Sequence, residues 1–238
     1  MSEGVPSSST VAARVIRVAD GISMPWRNGG GATREICVHP PGAGLDNFGW
    51  RVSMATVVSD GPFSVFAGVE RTLTVLEGDG LRLVIGAAAP VEQRRDSAPL
   101  SFAADAPTHA SLIGAAVTDL NVMTRRGHWS HAVTRLSVAG PTHHATRPGT
   151  RAGTVTVLWL CHRGQVTIDG GDGGVQLGPL DALVVESLPA TRWRIVPEGT
   201  AELYLAEIER LPASGDSTSG RHEAAGIEKK VSGQGPFP

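Results

Sequence analysis

Between residues 48 and 58 the chain alternates with period two. Drawn out as a strand, it places Trp50, Val52, Met54 and Thr56 on one face and Arg51, Ser53, Ala55 and Val57 on the other. Similar short runs recur along the sequence, and each is closed by turn residues. Asp60-Gly61-Pro62 ends the first, runs 71–76 and 81–85 flank Gly78-Asp79-Gly80, and runs 154–161 and 165–168 flank Gly164. With 30 glycines and 16 prolines among 238 residues, this punctuation favours short strands and an all-β fold. The length allows one large or two small domains with a sizeable core.

Further strands are expected at 11–18, 32–38, 111–113 and 117–124, with 86–99 as loop. A second β set is expected at 154–161, 165–168, 175–177, 182–185, 191–195 and 201–208. Its strand-turn-strand around Gly164 echoes the one around Gly80, which suggests two related modules. The expected organisation is a flexible N-terminus at 1–10, a first module at 11–139, a linker at 140–153 rich in Pro, Thr, His, Gly and Arg, a second module at 154–211, and a disordered tail at 212–238.

A formal charge of −2 gives no reason to expect nucleic acid or an anionic membrane as partner. Cys37 and Cys161 sit in apolar runs and read as buried free thiols. The opening MSEGVPSSST lacks the basic and apolar regions of a signal peptide, and no apolar run approaches the ~20 residues of a membrane-spanning helix, so a cytoplasmic location is expected.

Two stretches carry far more polar chemistry than turns need. In PWRNGGGATREI, residues 25–36, an aromatic, a guanidinium and a carboxamide precede three glycines. Their unencumbered N–H groups can line a concavity facing a ligand, or the triplet simply lets the chain turn before a strand; no Gly-Lys-Ser/Thr follows, so it is no P-loop. In DLNVMTRRG, residues 119–127, Asn121, Met123 and Arg125 share one face and Val122, Thr124 and Arg126 the other. Two arginines can clamp a carboxylate bidentately, or they protect a solvated sheet edge. Arg51 likewise reads as a cavity-lining or a solvent-facing side chain.

The eight histidines contain neither a helical HExxH nor a His-x-His pair with a following carboxylate, so no metal site is expected. No G-x-S-x-G elbow marks a nucleophile. Glu70, Glu77, Asp79, Asp119 and Glu186 are candidates for acid–base work, each a loop or strand-end carboxylate that reads equally as structural or solvated.

The order and spacing of PWRNGGGATREI, FGWRVSMATV, DGPFSVFAGVERTLTVLEGDG and DLNVMTRRG resemble the HutD/Ves family, strongly over residues 16–128 and by overall pattern beyond. The resemblance implies a bicupin, two antiparallel jelly-roll barrels in one chain. Metal-binding cupins carry His-x-His, a Glu shortly after and a later His; counted back from Glu70, the histidine places hold Phe63, Ser64, Val65 or Phe66, so no metal cofactor is implied. The family is associated with histidine catabolism, where it is thought to bind a pathway intermediate such as urocanate or formimino- or formylglutamate. On this chain, Arg34, Arg51, Arg71 and Arg125 would then meet carboxylates and Asn28 and Asn121 an amide or imine. Trp26 would stack on a planar guest, with Gly29, Gly30 and Thr124 completing the ligand contacts.

The leading expectation is a binding protein for a small anionic metabolite, acting in or restraining histidine utilisation. The alternatives are a metal-independent hydrolase or isomerase using Glu70 or Asp119, and a protein-interaction module with a vestigial pocket. A homodimer is a fold-level expectation. The binding expectation requires the two polar stretches to meet at the rim of the first barrel.

Overall fold

The computed structural model describes residues 13–26, 29–146, 155–171, 173–188 and 191–212. The expected flexible N-terminus and, apart from Pro212, the expected tail lie outside them. In chain order the strands are β1 (Ala13–Ile16), β2 (Ser23–Pro25), β3 (Gly31–His39), β4 (Trp50–Val57), β5 (Gly61–Pro62), β6 (Val69–Glu77), β7 (Leu81–Ile85), β8 (Val91–Gln93), β9 (Leu100–Ala103) and β10 (Thr108–Leu112). They continue as β11 (Val117–Arg125), β12 (Trp129–Val138), β13 (Thr142–Ala145), β14 (Val155–Arg163), β15 (Val166–Asp169), β16 (Val175–Leu177), β17 (Ala182–Leu188), β18 (Arg192–Pro197) and β19 (Ala201–Arg210). The fold is all-β, with a single 3-10 turn at Val18–Asp20 among the described residues. No helix among them is long and apolar enough to cross a membrane.

The strands pair into four antiparallel sheets. Sheet I has the order β2-β3-β4-β11-β6-β9 and sheet II β5-β10-β7-β8; sheet III runs β1-β17-β14-β19-β12 and sheet IV β13-β18-β15-β16. Sheets I and II enclose a core of Val57, Leu73, Val75, Leu81, Leu83 and neighbours, and sheets III and IV enclose one built around Val157, Trp159, Trp193, Leu203 and Leu205. A third core joins sheets I and III back to back, through Trp50, Val52, Leu120 and Val122 on one side and Leu158, Leu160, Tyr204 and Ile208 on the other. The two large sheets are therefore covered on both faces, and nearly every residue of β4, β6, β11, β14 and β19 is buried.

The same strand order occurs twice. Adding eight to each strand number turns β4-β11-β6-β9 into β12-β19-β14-β17, and β5-β10-β7-β8 into β13-β18-β15-β16. This corrects the boundaries expected from sequence. The second repeat opens at Trp129, ten residues earlier than the expected end of the first module, and the expected linker contains β13. The half-buried run Trp129–Val138 has no strong alternation of its own, and its strand state comes from ten paired positions on β19. β1 also departs from chain order by completing sheet III against β17, with Ala13 opposite Val185. Cys37 and Cys161 are free and buried.

Candidate functional site

The inner face of sheet I carries its charge in three adjoining rows. Asp119 lies opposite Ala55 and Val75, Asn121 between Ser53 and Leu73, and Met123 between Arg51 and Arg71. Glu35 on β3 pairs with Ser53 and extends the middle row. Residues two apart on a strand share a face. Since Val57, Leu73, Val75 and Val117 point into the core under sheet II, Arg51, Arg71, Asp119 and Asn121 point into that interior as well. All four are buried, with Asp119 only 1% exposed and both arginines 6%.

Each charge has a different degree of compensation. Arg51 Nε donates to Glu35 Oε2 at 2.8 Å and Nη1 to Ser53 Oγ at 3.2 Å. Arg71 has three aromatic rings around its guanidinium, those of Phe63, Phe66 and Phe102, at 5.4, 5.5 and 5.8 Å. Its Nε has no hydrogen-bond partner, and burial lowers its pKa to about 10, against the favourable field of Asp119 and with the repulsion of Arg51. Asp119 accepts from Asn121 Nδ2 at 2.5 Å through Oδ1, while Oδ2 has no partner. Burial pushes the Asp119 carboxyl up to about 7, although Arg71, the Asn121 hydrogen bond and the backbone N–H of Ala55 oppose the shift. The interior thus presents a cation without an acceptor and a carboxyl oxygen without a donor. Such unmet demand is costly in a core and is found where a ligand or water supplies the partner.

The second repeat provides an internal control. Val138 pairs with Ala201 as Val57 pairs with Val117, and stepping along β19 places Leu203 where β11 has Asp119 and Leu205 where it has Asn121. By the same register Ala132 stands for Arg51 and Val157 for Arg71. At these four positions the second repeat therefore packs leucine, valine and alanine, with buried Glu207 where the first has Met123, and the first repeat's polar residues are not required there by the strand order.

Of the expected ligand contacts, Arg51, Arg71 and Asn121 come together here, beside Asp119. The others do not. Glu70 is on the opposite face of β6 from Arg71 and lies 3.8 Å from Arg126 Nη1, so the acid–base role considered for it loses its geometry. Arg34 aligns with Met54 and Thr124 with Trp50, both on the face turned toward sheet III; Thr124 Oγ1 contacts His131 Nδ1 at 2.7 Å. Arg125 is at the far end of β11 and spends its guanidinium on three backbone carbonyls, those of Phe48, Ala67 and Asp46. It borders a surface groove of about 300 Å³ with His39, His128, Trp129 and Arg210.

The glycine triplet serves the β2–β3 hairpin. Trp26 N donates to Gly31 O, Gly29 N to Trp26 O, and Val58 N to Gly30 O, while exposed Gly29 takes φ +71°. The Trp26 indole donates to Thr33 Oγ1 at 2.7 Å and packs on the sheet I–II core, so its edge is committed to the fold. Asn28 lies outside the described residues. Gly31 pairs with Val57, at the end of sheet I opposite Arg125. Contrary to the expectation from sequence, the two polar stretches do not meet at one rim; their strand bodies flank β4 in the middle of the sheet. Glu35, Ser53 and the three phenylalanines were missed as site residues. Alternation alone gives Glu35 away, since it shares a face with Thr33 and excludes Arg34. Among the described residues no three His, Cys, Asp or Glu side chains are grouped to hold a metal ion.

Among solved structures of low identity that share the fold is the pirin YhhW from Escherichia coli, with a TM-score of 0.56 at 11% identity over 85% of this chain and 98% of that one. Much nearer is PA5104 from Pseudomonas aeruginosa PAO1, a conserved protein of unknown function, with a TM-score of 0.74 at 32% identity over 83% of this chain and 98% of the other. HutD from Pseudomonas fluorescens SBW25 gives 0.71 at 28% identity, covering 84% of this chain and all of that one. In sequence, Protein Ves of Citrobacter koseri is 39% identical over 150 residues, 61% of this chain and 74% of Ves. An uncharacterised 21.2 kDa protein from the hutC 3' region of Pseudomonas putida is 40% identical over 110 residues, 46% of this chain and 57% of that protein, so the match spans little more than half of this relative. The sequence profile of the HutD family matches residues 19–204, which contain every strand of the charged interior, and the chain belongs to that family.

Proposed function

We propose that the protein is a bicupin, two jelly-roll barrels in one chain, whose first barrel binds a small carboxylate-bearing metabolite and whose second is a structural partner. The observation that carries this reading is the contrast between the repeats: Arg51, Arg71, Asp119 and Asn121 in one interior, and Ala132, Val157, Leu203 and Leu205 at the matching positions of the other. A buried Arg71 with an unmet Nε is a natural partner for an anion. The naming of one relative for the hutC region and of another as HutD supports a role in histidine utilisation, with urocanate or N-formylglutamate as the first guests to test. One charge-assisted contact contributes about 1.5–3 kcal/mol, so two or three support micromolar binding after association costs.

Urocanate or N-formylglutamate at millimolar concentration is expected to raise the melting temperature of the wild type, and Arg71→Ala or Arg51→Ala to remove the rise. No shift with any histidine-pathway carboxylate would defeat the proposal. A second reading, a metal-independent hydrolase or isomerase, draws on Asp119, whose pKa near 7 suits a general acid or base. Turnover of formylglutamate or urocanate by pure protein, lost in Asp119→Asn while binding persists, would favour it over simple binding.

A further inference from the structure

The interior of the first barrel is balanced in charge before any guest arrives. Glu35 compensates Arg51 directly at 2.8 Å, and ionised Asp119 is the remaining counter-charge for Arg71. No other titratable group is placed to help among the described residues. β3 contributes Glu35, β4 Arg51 and the neutral Ser53, β6 Arg71, β9 Phe102, and β11 itself the neutral Asn121. Across the barrel, sheet II offers Leu81, Leu83 and Ala110 to the adjoining core.

A guest carboxylate that takes Arg71 as its partner therefore leaves two anions around one cation among buried side chains. Two carboxylates in such proximity do not both stay ionised. We infer that each carboxylate bound in this barrel brings one proton with it, held on Asp119 Oδ2, the oxygen that has no partner within the protein. The proton leaves hydronium or the buffer acid and forms an O–H bond at Oδ2, no other covalent bond changes, and the site returns to its starting charge. Protonated Oδ2 then acts as donor to a guest oxygen, while Oδ1 keeps the Asn121 amide. This rests on the binding site proposed above and specifies how it holds a guest carboxylate, with a carboxylic acid beside it.

Calorimetric titration of the full chain with sodium formate and sodium acetate, between pH 6 and 8.5 and in buffers of different ionisation enthalpy, tests it. The wild type is expected to lose affinity about tenfold per pH unit once Asp119 is ionised in the free protein, and to take up close to one proton per carboxylate bound at pH 8 by the buffer dependence of the heat. Asp119→Asn, whose amide can donate in place of the acid, is expected to bind with a pH-independent constant. Binding by the wild type that is flat in pH and independent of buffer would overturn the proton coupling and leave the site reading standing. Absence of binding at every pH, in a wild type that melts cooperatively, would overturn both. The proton count is measured on the wild type alone and decides the matter even if the variant does not fold.

Discussion

Asp119 shows how one residue can hold stability and function in opposition. Its folded pKa, about 7, is well above the ordinary carboxylate value of 3.8, so the folded protein holds a proton that the unfolded chain has released between about pH 4 and 7. The associated stability is complete below about pH 4 and is lost as pH rises through 7. Asp119→Asn is accordingly expected to be more stable than wild type above pH 7 and to converge with it in acid, with a ceiling of about 4 kcal/mol at 1.36 kcal/mol per pH unit. Denaturant melts at pH 5 and pH 8.5 check this, and equal differences at both would contradict it. Arg125 is the opposite case, a residue with the look of a ligand and the contacts of a brace. Removing it in Arg125→Ala frees the carbonyls of Phe48, Ala67 and Asp46, at an expected cost of about 1–3 kcal/mol, and leaves the carboxylate-induced melting shift in place.

At the scale of elements, two strands are held by features that a residue list does not convey. The β2–β3 hairpin turns so tightly that a Cβ on Gly31 would come within 2.3 Å of Thr56 O and 3.0 Å of the Trp26 ring. Gly31→Ala is expected to destabilise by at least about 1–3 kcal/mol, measured by denaturant unfolding. β12 crosses behind sheet I and inserts His131 between Thr72 Oγ1 at 2.8 Å and Thr124 Oγ1 at 2.7 Å. Burial lowers the His131 pKa from 6.5 to about 4. The folded state therefore refuses a proton that the unfolded chain accepts, so stability falls as pH drops from about 6.5 toward 4. His131→Leu is expected to remove up to about 3 kcal/mol of that acid sensitivity, and an unchanged slope of stability against pH in this window would show that His131 is not its source. From sequence, alternation located β4, and apolar runs between turn residues located β6 and β11, because burial of both faces makes such runs stand out. Missed were β12 and β13, whose strand state depends on β19 and β18, and the short β8, which lies in the stretch 86–99 expected as loop.

For the molecule as a whole, the back-to-back packing of sheets I and III makes one body of the two repeats. The shared core is reinforced at its edge, where His162 stands between Glu77 and Glu202 and Arg163 pairs with Glu77. Leu160, fully buried in that core, is the appropriate probe. Leu160→Ala is expected to cost about 2–5 kcal/mol and to lower the midpoint of a single cooperative transition. Two separate transitions would mean that the repeats unfold independently.

The sequence by itself determined the all-β class, the turn positions, the family, and the fact that Arg51, Ser53, Asn121 and Arg125 stand on faces of alternating strands. Period two states which side chains share a face, but it is silent on which face is covered by which sheet. That choice came from long-range pairing: β11 between β4 and β6 placed Arg71 and Asp119 in one interior, turned Arg34, Glu70 and Thr124 away from it, and put Trp26 and Arg125 at opposite ends. The repeat boundary was decided in the same way, because a strand belongs to the sheet whose edge it completes, wherever it falls in the chain.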